Sequence, residues 1–168
     1  SQPGPIRILE LTGTKESTPA IERHQGFSDI IKQDARFELM ASVDGDFMLS
    51  RGEEEMSNWC REHPDAIPDV LYSHNDEMTI GATRSMKNFE INPGKDITII
   101  TIDGQQAMID NLKNGLINCS IECNPNLGPY LVNVLQAMMQ GEPIEPRIIP
   151  PENVYSEFNL DDVPDRTF

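Results

Sequence analysis

Residues 97–102 read Ile-Thr-Ile-Ile-Thr-Ile, a nearly unbroken run of β-branched side chains that is followed at once by Asp103 and Gly104. Such a run is typical of a central strand in a parallel sheet, because β-branched residues pack well when both faces of the strand are buried. An amphipathic stretch comes next, from Gln105 to Asn114, and Gly115 is suited to end that helix. We therefore predict a central strand with a covering helix.

The same alternation of a short apolar run and an amphipathic stretch occurs on the N-terminal side. The predicted strands are 6–11, 37–42 and 70–73, and the predicted helices are 19–32, 48–62 and 77–88. Thr18 before Pro19 is predicted to cap the first helix, and Asn75 or Asp76 the third. Repeated strand and helix predict the α/β fold class, a three-layer α/β/α arrangement with a mostly parallel sheet.

The last predicted strand and the segment behind it have a different character. Residues 116–122 alternate apolar and polar side chains, which is typical of a strand with one face in water near a sheet edge. After Asn124 one amphipathic helix, Leu127 to Gln140, leads into a tail that contains Pro143, Pro146, Pro150 and Pro151. We place a boundary between this helix and the preceding α/β unit.

The composition excludes several classes of partner and chemistry. Asp and Glu number 28 against 13 Lys and Arg, so a net charge of -15 would repel nucleic acid and anionic lipid. No run reaches the roughly eighteen apolar residues of a membrane span, and the first residues lack the pattern of a signal peptide. The three cysteines, Cys60, Cys119 and Cys123, give no disulfide framework or zinc spacing. We predict neither a metal nor a cofactor.

Polar side chains follow the predicted strands, where ligands of open α/β sheets bind. Arg23, Phe47, Asn75 and Asp103 supply a guanidinium, an aromatic ring, an amide and a carboxylate. A sugar needs these groups together, because its hydroxyls donate and accept and its C–H face is apolar. Each residue also has a simpler role, as a cap, a turn, a solvated helix face or core. Composition and spacing therefore lead only as far as a polar small-molecule site.

Seven short segments add a family resemblance. They are 10–14 (ELTGT), 20–27 (AIERHQGF), 45–47 (GDF), 63–65 (HPD), 74–78 (HNDEM), 102–104 (IDG) and 124–126 (NPN). In order and spacing they resemble the type I periplasmic sugar-binding proteins of ABC importers, the ribose-binding and above all the galactofuranose-binding members. Together the segments span most of the chain.

The resemblance implies roles for individual residues. Arg23, Asn75 and Asp103 match the positions that hydrogen-bond the sugar, and Phe47 matches an aromatic residue that packs on the ring. Cys123 falls where ribose-binding members have a glutamine, which argues against ribose as the ligand. Glu122 beside it is, like Cys123, a further candidate contact.

The resemblance also implies a domain arrangement and a function. Residues 1–123 would form the second, C-terminal lobe, 124–149 would cross the hinge into the first lobe, and 150–168 would return, with the N-terminal half of the first lobe outside this sequence. The implied function is the substrate-binding component of a sugar ABC importer, not an enzyme. It would bind a galactofuranose-like, galactose-like or pentose-like monosaccharide, serve a membrane permease, and be periplasmic or extracellular, with lipid anchoring left open.

Two other functions share this fold class. The effector-binding half of a LacI-type transcriptional regulator is the alternative, and a helix-turn-helix upstream would favour it. An enzyme using Asp103 or Asp76 as acid or base is disfavoured, because no nucleophile pair or phosphate loop is present.

The helix at Leu127 to Gln140 carries an expectation of its own. Detached from a first lobe it would expose an apolar stripe, so we expect it to pack on this lobe or to pair two chains as a homodimer. A single lobe is also expected to bind sugar weakly, because closure of two lobes normally completes such a site.

Overall fold

The computed structural model describes residues 4–163, 165 and 166. Strands and helices alternate along most of the chain. They are β1 Ile6–Thr12, α1 Thr18–Ile31, β2 Phe37–Asp44, α2 Leu49–Glu62, β3 Val70–Ser73, α3 Asp76–Asn88, β4 Thr98–Asp103, α4 Gln106–Lys113, β5 Cys119–Glu122, α5 Gly128–Gln140 and β6 Val154–Ser156, with a 3₁₀ turn at Leu160–Asp162. The predicted α/β class is confirmed.

The strands form one six-stranded sheet in the order β2-β1-β3-β4-β5-β6. Neighbouring strands from β2 to β5 are parallel, and β6 runs antiparallel to β5. The five parallel strands therefore end at the same edge of the sheet, and the loops that leave them lie side by side. The strand β6 was not predicted, because three residues in a proline-rich tail are too few to show an alternation.

The two faces of the sheet carry cores of different size. Leu71, Ile99 and their neighbours pack beneath α2 and α3, where Met56 and Met78 are fully buried. The other face has a smaller cluster around Ile8, Tyr72 and Ile102, against which the α1 residues Phe27 and Ile31 pack. The Phe27 and Tyr72 rings stack with their centroids 4.2 Å apart. This contact holds α1 on the sheet.

Two predictions about local structure are wrong in instructive ways. The first helix is capped by Ser17, whose Oγ accepts a hydrogen bond from Ala20 N at 3.4 Å, and Thr18 is already inside the helix. The polar face of β5 is not in water, because Ser120 and Glu122 are buried while Ile121 is half-buried. The C-terminal tail covers the polar face, which the local alternation could not reveal.

Helix α5 lies apart from this core. All of its residues fall within the described part of the chain, and none of them is buried. The side chains of Leu131, Leu135, Met138 and Met139 are all more than half exposed. The expected packing of this helix on the lobe is therefore wrong.

A glycine at the contact between α2 and α3 sets how closely those helices approach. A Cβ built on Gly81 would lie 2.0 Å from the carbonyl oxygen of Leu49, a backbone atom that cannot turn aside. We expect Gly81→Ala to lower the free energy of unfolding by about 1–3 kcal/mol, the usual cost of overpacking. Urea denaturation measures this.

The matched control is Gly26→Ala in the exposed part of α1. No heavy atom of the described residues comes within 4 Å of a Cβ built there. This variant should be stabilised by about 0.5–1 kcal/mol, because alanine is the better helix former. Equal effects of the two substitutions would contradict the close helix contact.

Candidate functional site

The predicted site residues meet at the carboxyl edge of the parallel strands. Arg23 Nη2 lies 3.4 Å from Asp103 Oδ1, and the Arg23 guanidinium carbon is 5.7 Å from the centroid of the Phe47 ring. Asn75 Nδ2 donates to the carbonyl oxygen of Phe47 at 3.2 Å, and Cys123 N donates to that of Asp103 at 2.9 Å. The five residues thus form one cluster, to which α1, the end of β4 and three loops contribute.

Arg23 is the hub of this cluster. It lies on α1, and its Nη1 donates to the backbone carbonyl of His74 at the end of β3 while its Nη2 pairs with Asp103 at the end of β4. A guanidinium has about five N–H donors in a fixed plane, so these two contacts leave others for a ligand. The side chain is half-buried, which strengthens its interactions relative to a solvated arginine.

Asn75 has the structural role that the sequence predicted and a second contact as well. Its Oδ1 accepts a hydrogen bond from Met78 N at 3.0 Å, which caps α3, and the cap prediction is confirmed. One N–H of its amide group is used by the carbonyl of Phe47. The amide carries a second N–H, which a ligand oxygen can accept.

Phe47 stands in an unusual backbone turn. Its φ is 57° and that of Asp46 is 53°, so two consecutive non-glycine residues are left-handed. A Cβ built on Gly13 would lie 2.0 Å from the Phe47 ring, so the ring rests directly on the Gly13 backbone. The absence of a side chain at Gly13 therefore fixes where the aromatic face can lie.

Asp103 is held by both charge and backbone geometry. Burial raises the pKa of its carboxyl, while Arg23 and the backbone N–H of Asp76 act in the opposite direction. Its φ is 124°, a conformation that costs free energy for any residue with a Cβ. A strained residue at a strand end, paired with an arginine, has the character of a functional position.

The two further candidates differ in their surroundings. Glu122 is 3% exposed, and its carboxylate accepts from Arg166 Nη1, from Asn153 N at 3.0 Å and from Asn153 Nδ2 at 2.8 Å. It therefore anchors the C-terminal tail. Cys123 is exposed and lies beside Arg23; burial raises the pKa of its thiol and Arg23 opposes that shift. The geometry places Cys123, and not Glu122, in the Arg23 cluster.

Sequence reasoning missed a buried cluster directly behind the site. Glu10 on β1 is fully buried, with His74 Nε2 at 2.9 Å and His24 Nδ1 at 2.7 Å from its carboxylate. Burial alone would raise the pKa of Glu10, but hydrogen bonds from His74, Ser42 and His24 outweigh it and the pKa is lowered. Gly13 N donates to His74 Nδ1, which assigns the proton of the neutral ring to Nε2.

A signal for this cluster was present in the chain. Glu10 interrupts the apolar run of β1, and a charged residue inside a buried strand needs partners. The histidines that supply them are 14 and 64 residues away. Their identity depends on the strand order, which local patterns do not contain.

Two features are absent from the part of the chain that the structure describes. The described residues contain no group of three or more His, Cys, Asp or Glu side chains placed to hold a metal ion. No helix within the same residues is both long and apolar enough to cross a membrane.

Polar groups that converge at the open edge of a parallel sheet, around an ion pair that leaves hydrogen-bonding capacity unused, are typical of small-molecule sites in α/β proteins. The family model for the periplasmic binding protein domain matches residues 1–143. The chain belongs to that family.

Curated relatives and solved structures agree with this assignment. The galactofuranose-binding protein of Escherichia coli is 36% identical over 127 residues, which cover 74% of this chain and 40% of the relative. The ribose import binding protein of Bacillus subtilis is 26% identical over 146 residues, covering 86% of this chain and 45% of the relative. The chain thus spans about half the length of the relatives it matches.

Two structures with bound furanoses superpose well on the chain. A Mycobacterium smegmatis protein in complex with β-D-fucofuranose is 32% identical with a TM-score of 0.87, covering 95% of this chain and 52% of that one. The binding component of an arabinose ABC transporter from a Shewanella species, bound to L-arabinofuranose, is 29% identical with a TM-score of 0.87, covering 95% and 53%.

The role of Glu122 in the tail can be tested separately from ligand binding. We expect Glu122→Gln to lower the free energy of unfolding at pH 7 by about 1.5–3 kcal/mol, because a charge-assisted hydrogen bond from Arg166 is lost. Arg166 lowers the pKa of Glu122, so this stabilisation is present above the unfolded pKa of about 4.3 and disappears as the pH falls through the folded value.

Urea denaturation at pH 7 and at acid pH measures the difference between wild type and variant. The exposed Glu157→Gln serves as the control and should match the wild type at both. A Glu122→Gln difference of the same size at acid and neutral pH would contradict the ion pair.

Proposed function

We propose that this chain supplies the sugar-contacting lobe of the substrate-binding component of a sugar ABC importer, which binds a monosaccharide and performs no reaction on it. The observation that carries the proposal is the meeting of Arg23, Phe47, Asn75 and Asp103 at one edge of the sheet. The relatives and structures compared above include a ribose import binding protein and the binding component of an arabinose ABC transporter, which favours a transport receptor over the LacI-type alternative.

The electrostatics of the cluster suit an uncharged ligand. Arg23 and Asp103 carry opposite charges and neutralise each other, so a ligand needs no charge of its own to be accommodated. Asp103 can accept hydrogen bonds from two hydroxyls, Arg23 and Asn75 can donate, and the Phe47 ring offers an apolar face. A monosaccharide matches this combination better than an anion or a cation does.

We further propose that the ligand is a furanose. One relative binds galactofuranose, and the two structural neighbours described above hold β-D-fucofuranose and L-arabinofuranose. The side chain of Cys123 in the Arg23 cluster is small, whereas the ribose-binding members that this chain resembles have a glutamine at the matching position. This difference argues against ribose as the ligand.

The lobe boundaries are also a proposal. Residues 1–123 would form the second lobe, 124–149 would belong to the first lobe, and 150–168 would return to the second. The burial of the tail residue Tyr155 beside β5 and the lack of any buried residue in α5 support this division. The whole protein would present its sugar to a membrane permease from the periplasm or the cell surface, free or lipid-anchored.

Calorimetric titration of the full-length protein with arabinose, galactose, fucose and ribose tests the function. One sugar should bind, and Asp103→Ala should weaken it by about tenfold or more, because a hydrogen bond to a charged group is worth about 1.5–3 kcal/mol. Asn75→Ala should weaken it by about two- to tenfold, because a hydrogen bond between neutral groups is worth about 0.5–1.5 kcal/mol. The 168-residue chain alone should bind that sugar much more weakly.

Asp110→Ala, on the exposed side of α4, is the matched control and should leave affinity unchanged. Circular dichroism checks that Asn75→Ala, which also loses a helix cap, remains folded. If the wild type and both site variants bind the sugar with the same heat and affinity, the assignment of the site is refuted.

The apolar stripe of α5 gives a separate prediction for the 168-residue chain. We propose that α5 pairs two copies of this chain in solution, since its large apolar side chains have no cover within the described lobe. Sedimentation should show a dimer that Leu135→Glu converts to a monomer, while Gln136→Glu on the same helix has no effect. A monomeric wild type at millimolar concentration would contradict the pairing.

A further inference from the structure

A line of buried oxygen atoms runs from the first turn of α3 to the strand β4 and back to the loop after β3. Asp76 Oδ1 lies 2.8 Å from Thr101 Oγ1, which lies 2.8 Å from Thr79 Oγ1, which in turn lies 2.8 Å from the carbonyl oxygen of Asn75. The residues Asp76, Thr79 and Thr101 are each 0% exposed. All three separations are the usual length of an O–H···O hydrogen bond.

Counting protons along this line gives an unexpected result. Three oxygen-to-oxygen contacts need three protons if each is to be a hydrogen bond. Each threonine hydroxyl has one proton, and a carbonyl oxygen has none, so Thr79 and Thr101 supply two. The third proton has to come from Asp76, because an ionised carboxylate can only accept. With Asp76 neutral, its carboxyl group donates to Thr101, Thr101 donates to Thr79, and Thr79 donates to the carbonyl oxygen of Asn75.

We propose that Asp76 is protonated in the folded protein and is a positioning residue of the sugar site, where its neutral carboxyl group ties the Asn75 loop to the Asp103 loop. This inference rests on the proposed function for its second half. In this role Asp76 does not contact the ligand. It acts by holding Asn75 and Asp103 in place.

The remaining atoms of Asp76 strengthen the same link. Its Oδ2 accepts a hydrogen bond from Gln105 N at 2.8 Å, in the turn that follows Asp103. The backbone N–H of Asp76 faces the Asp103 carboxylate and lowers its pKa. The Asp76 side chain therefore binds the turn after β4, and the Asp76 backbone binds the Asp103 carboxylate. These two contacts hold Asp103 in its strained backbone conformation.

The charges around Asp76 point the same way. Burial raises the pKa of Asp76 to about 7, and the negative charge of Asp103 on β4 adds to that shift, while Gln105 N and Thr101 oppose it. Arg23 on α1 is paired with Asp103, and Glu77 on α3 adds a further negative charge near that residue. An ionised Asp76 would place a second carboxylate beside Asp103.

The first test does not involve sugar. A carboxyl whose folded pKa is raised contributes stability below its unfolded pKa of about 3.9, and this contribution decreases as the pH rises toward the folded value near 7. Asp76→Asn imitates the neutral carboxyl and has no proton to lose. The urea midpoint of the wild type should therefore fall relative to that of Asp76→Asn between pH 5 and pH 7.

Asp110→Asn is the matched control, since it makes the same change on an exposed carboxyl, and its midpoint should track the wild type at every pH. Infrared spectroscopy provides a second measurement, which uses only the wild-type protein and so does not depend on the folding of a variant. The carbonyl band of a protonated carboxyl should be present at pH 6 and lost by pH 8.5. A constant midpoint difference, or the absence of that band at pH 6, would overturn the proposal.

The second test measures sugar affinity in the full-length protein. Affinity should fall several-fold from pH 6 to pH 8.5 in the wild type and in Asp110→Asn, and should stay level in Asp76→Asn. If the proton is lost with pH but affinity does not change, the positioning role is wrong. If the stability and infrared results hold while no sugar binds, the proton is established and the proposed function fails instead.

Discussion

The Arg23 guanidinium joins the ends of two neighbouring strands, and the arrangement of the site depends on that link. It donates to the carbonyl of His74 after β3 and pairs with Asp103 after β4, while its face lies near the Phe47 ring after β2. The same loops are also linked directly, by the hydrogen bonds from Asn75 to the carbonyl of Phe47 and from Gln105 N to Asp76. The planar cation on α1 adds a contact to all three loops, and the stacking of Phe27 on Tyr72 fixes α1 itself.

Among the residues that the structure describes, three buried carboxyl groups lie on this sheet or at its carboxyl edge, and each avoids an unpaired charge in a different way. Glu10 stays ionised because two histidines and a serine donate to it. Glu122 stays ionised because Arg166 lies against it. Asp76 has hydroxyl and backbone N–H partners and lies near the negative charge of Asp103, and a proton neutralises it in the arrangement we propose.

Much of the fold could be predicted from local pattern. The β-branched run of β4, the repeated strand and helix periods and the Asn75 cap are all properties of neighbouring residues, and the structure has them where they were expected. The exceptions involve contacts between distant segments. The burial of Ser120 and Glu122 depends on a tail strand more than thirty residues away, and the partners of Glu10 depend on the order of the strands. The candidate site residues could be proposed because parallel strands bring their ends to one edge, but the ion pair between Arg23 and Asp103 required the folded arrangement.

The contact that holds position 123 is made entirely by backbone atoms, from Cys123 N to the carbonyl oxygen of Asp103. Any residue except proline can make this hydrogen bond, so the side chain there is free to vary while the loop keeps its course. Because that side chain lies beside Arg23, a replacement changes what a ligand meets and leaves the sheet unaltered. Ligand preference in a protein of this architecture can therefore diverge at single loop positions over evolutionary time, with little accompanying loss of foldability.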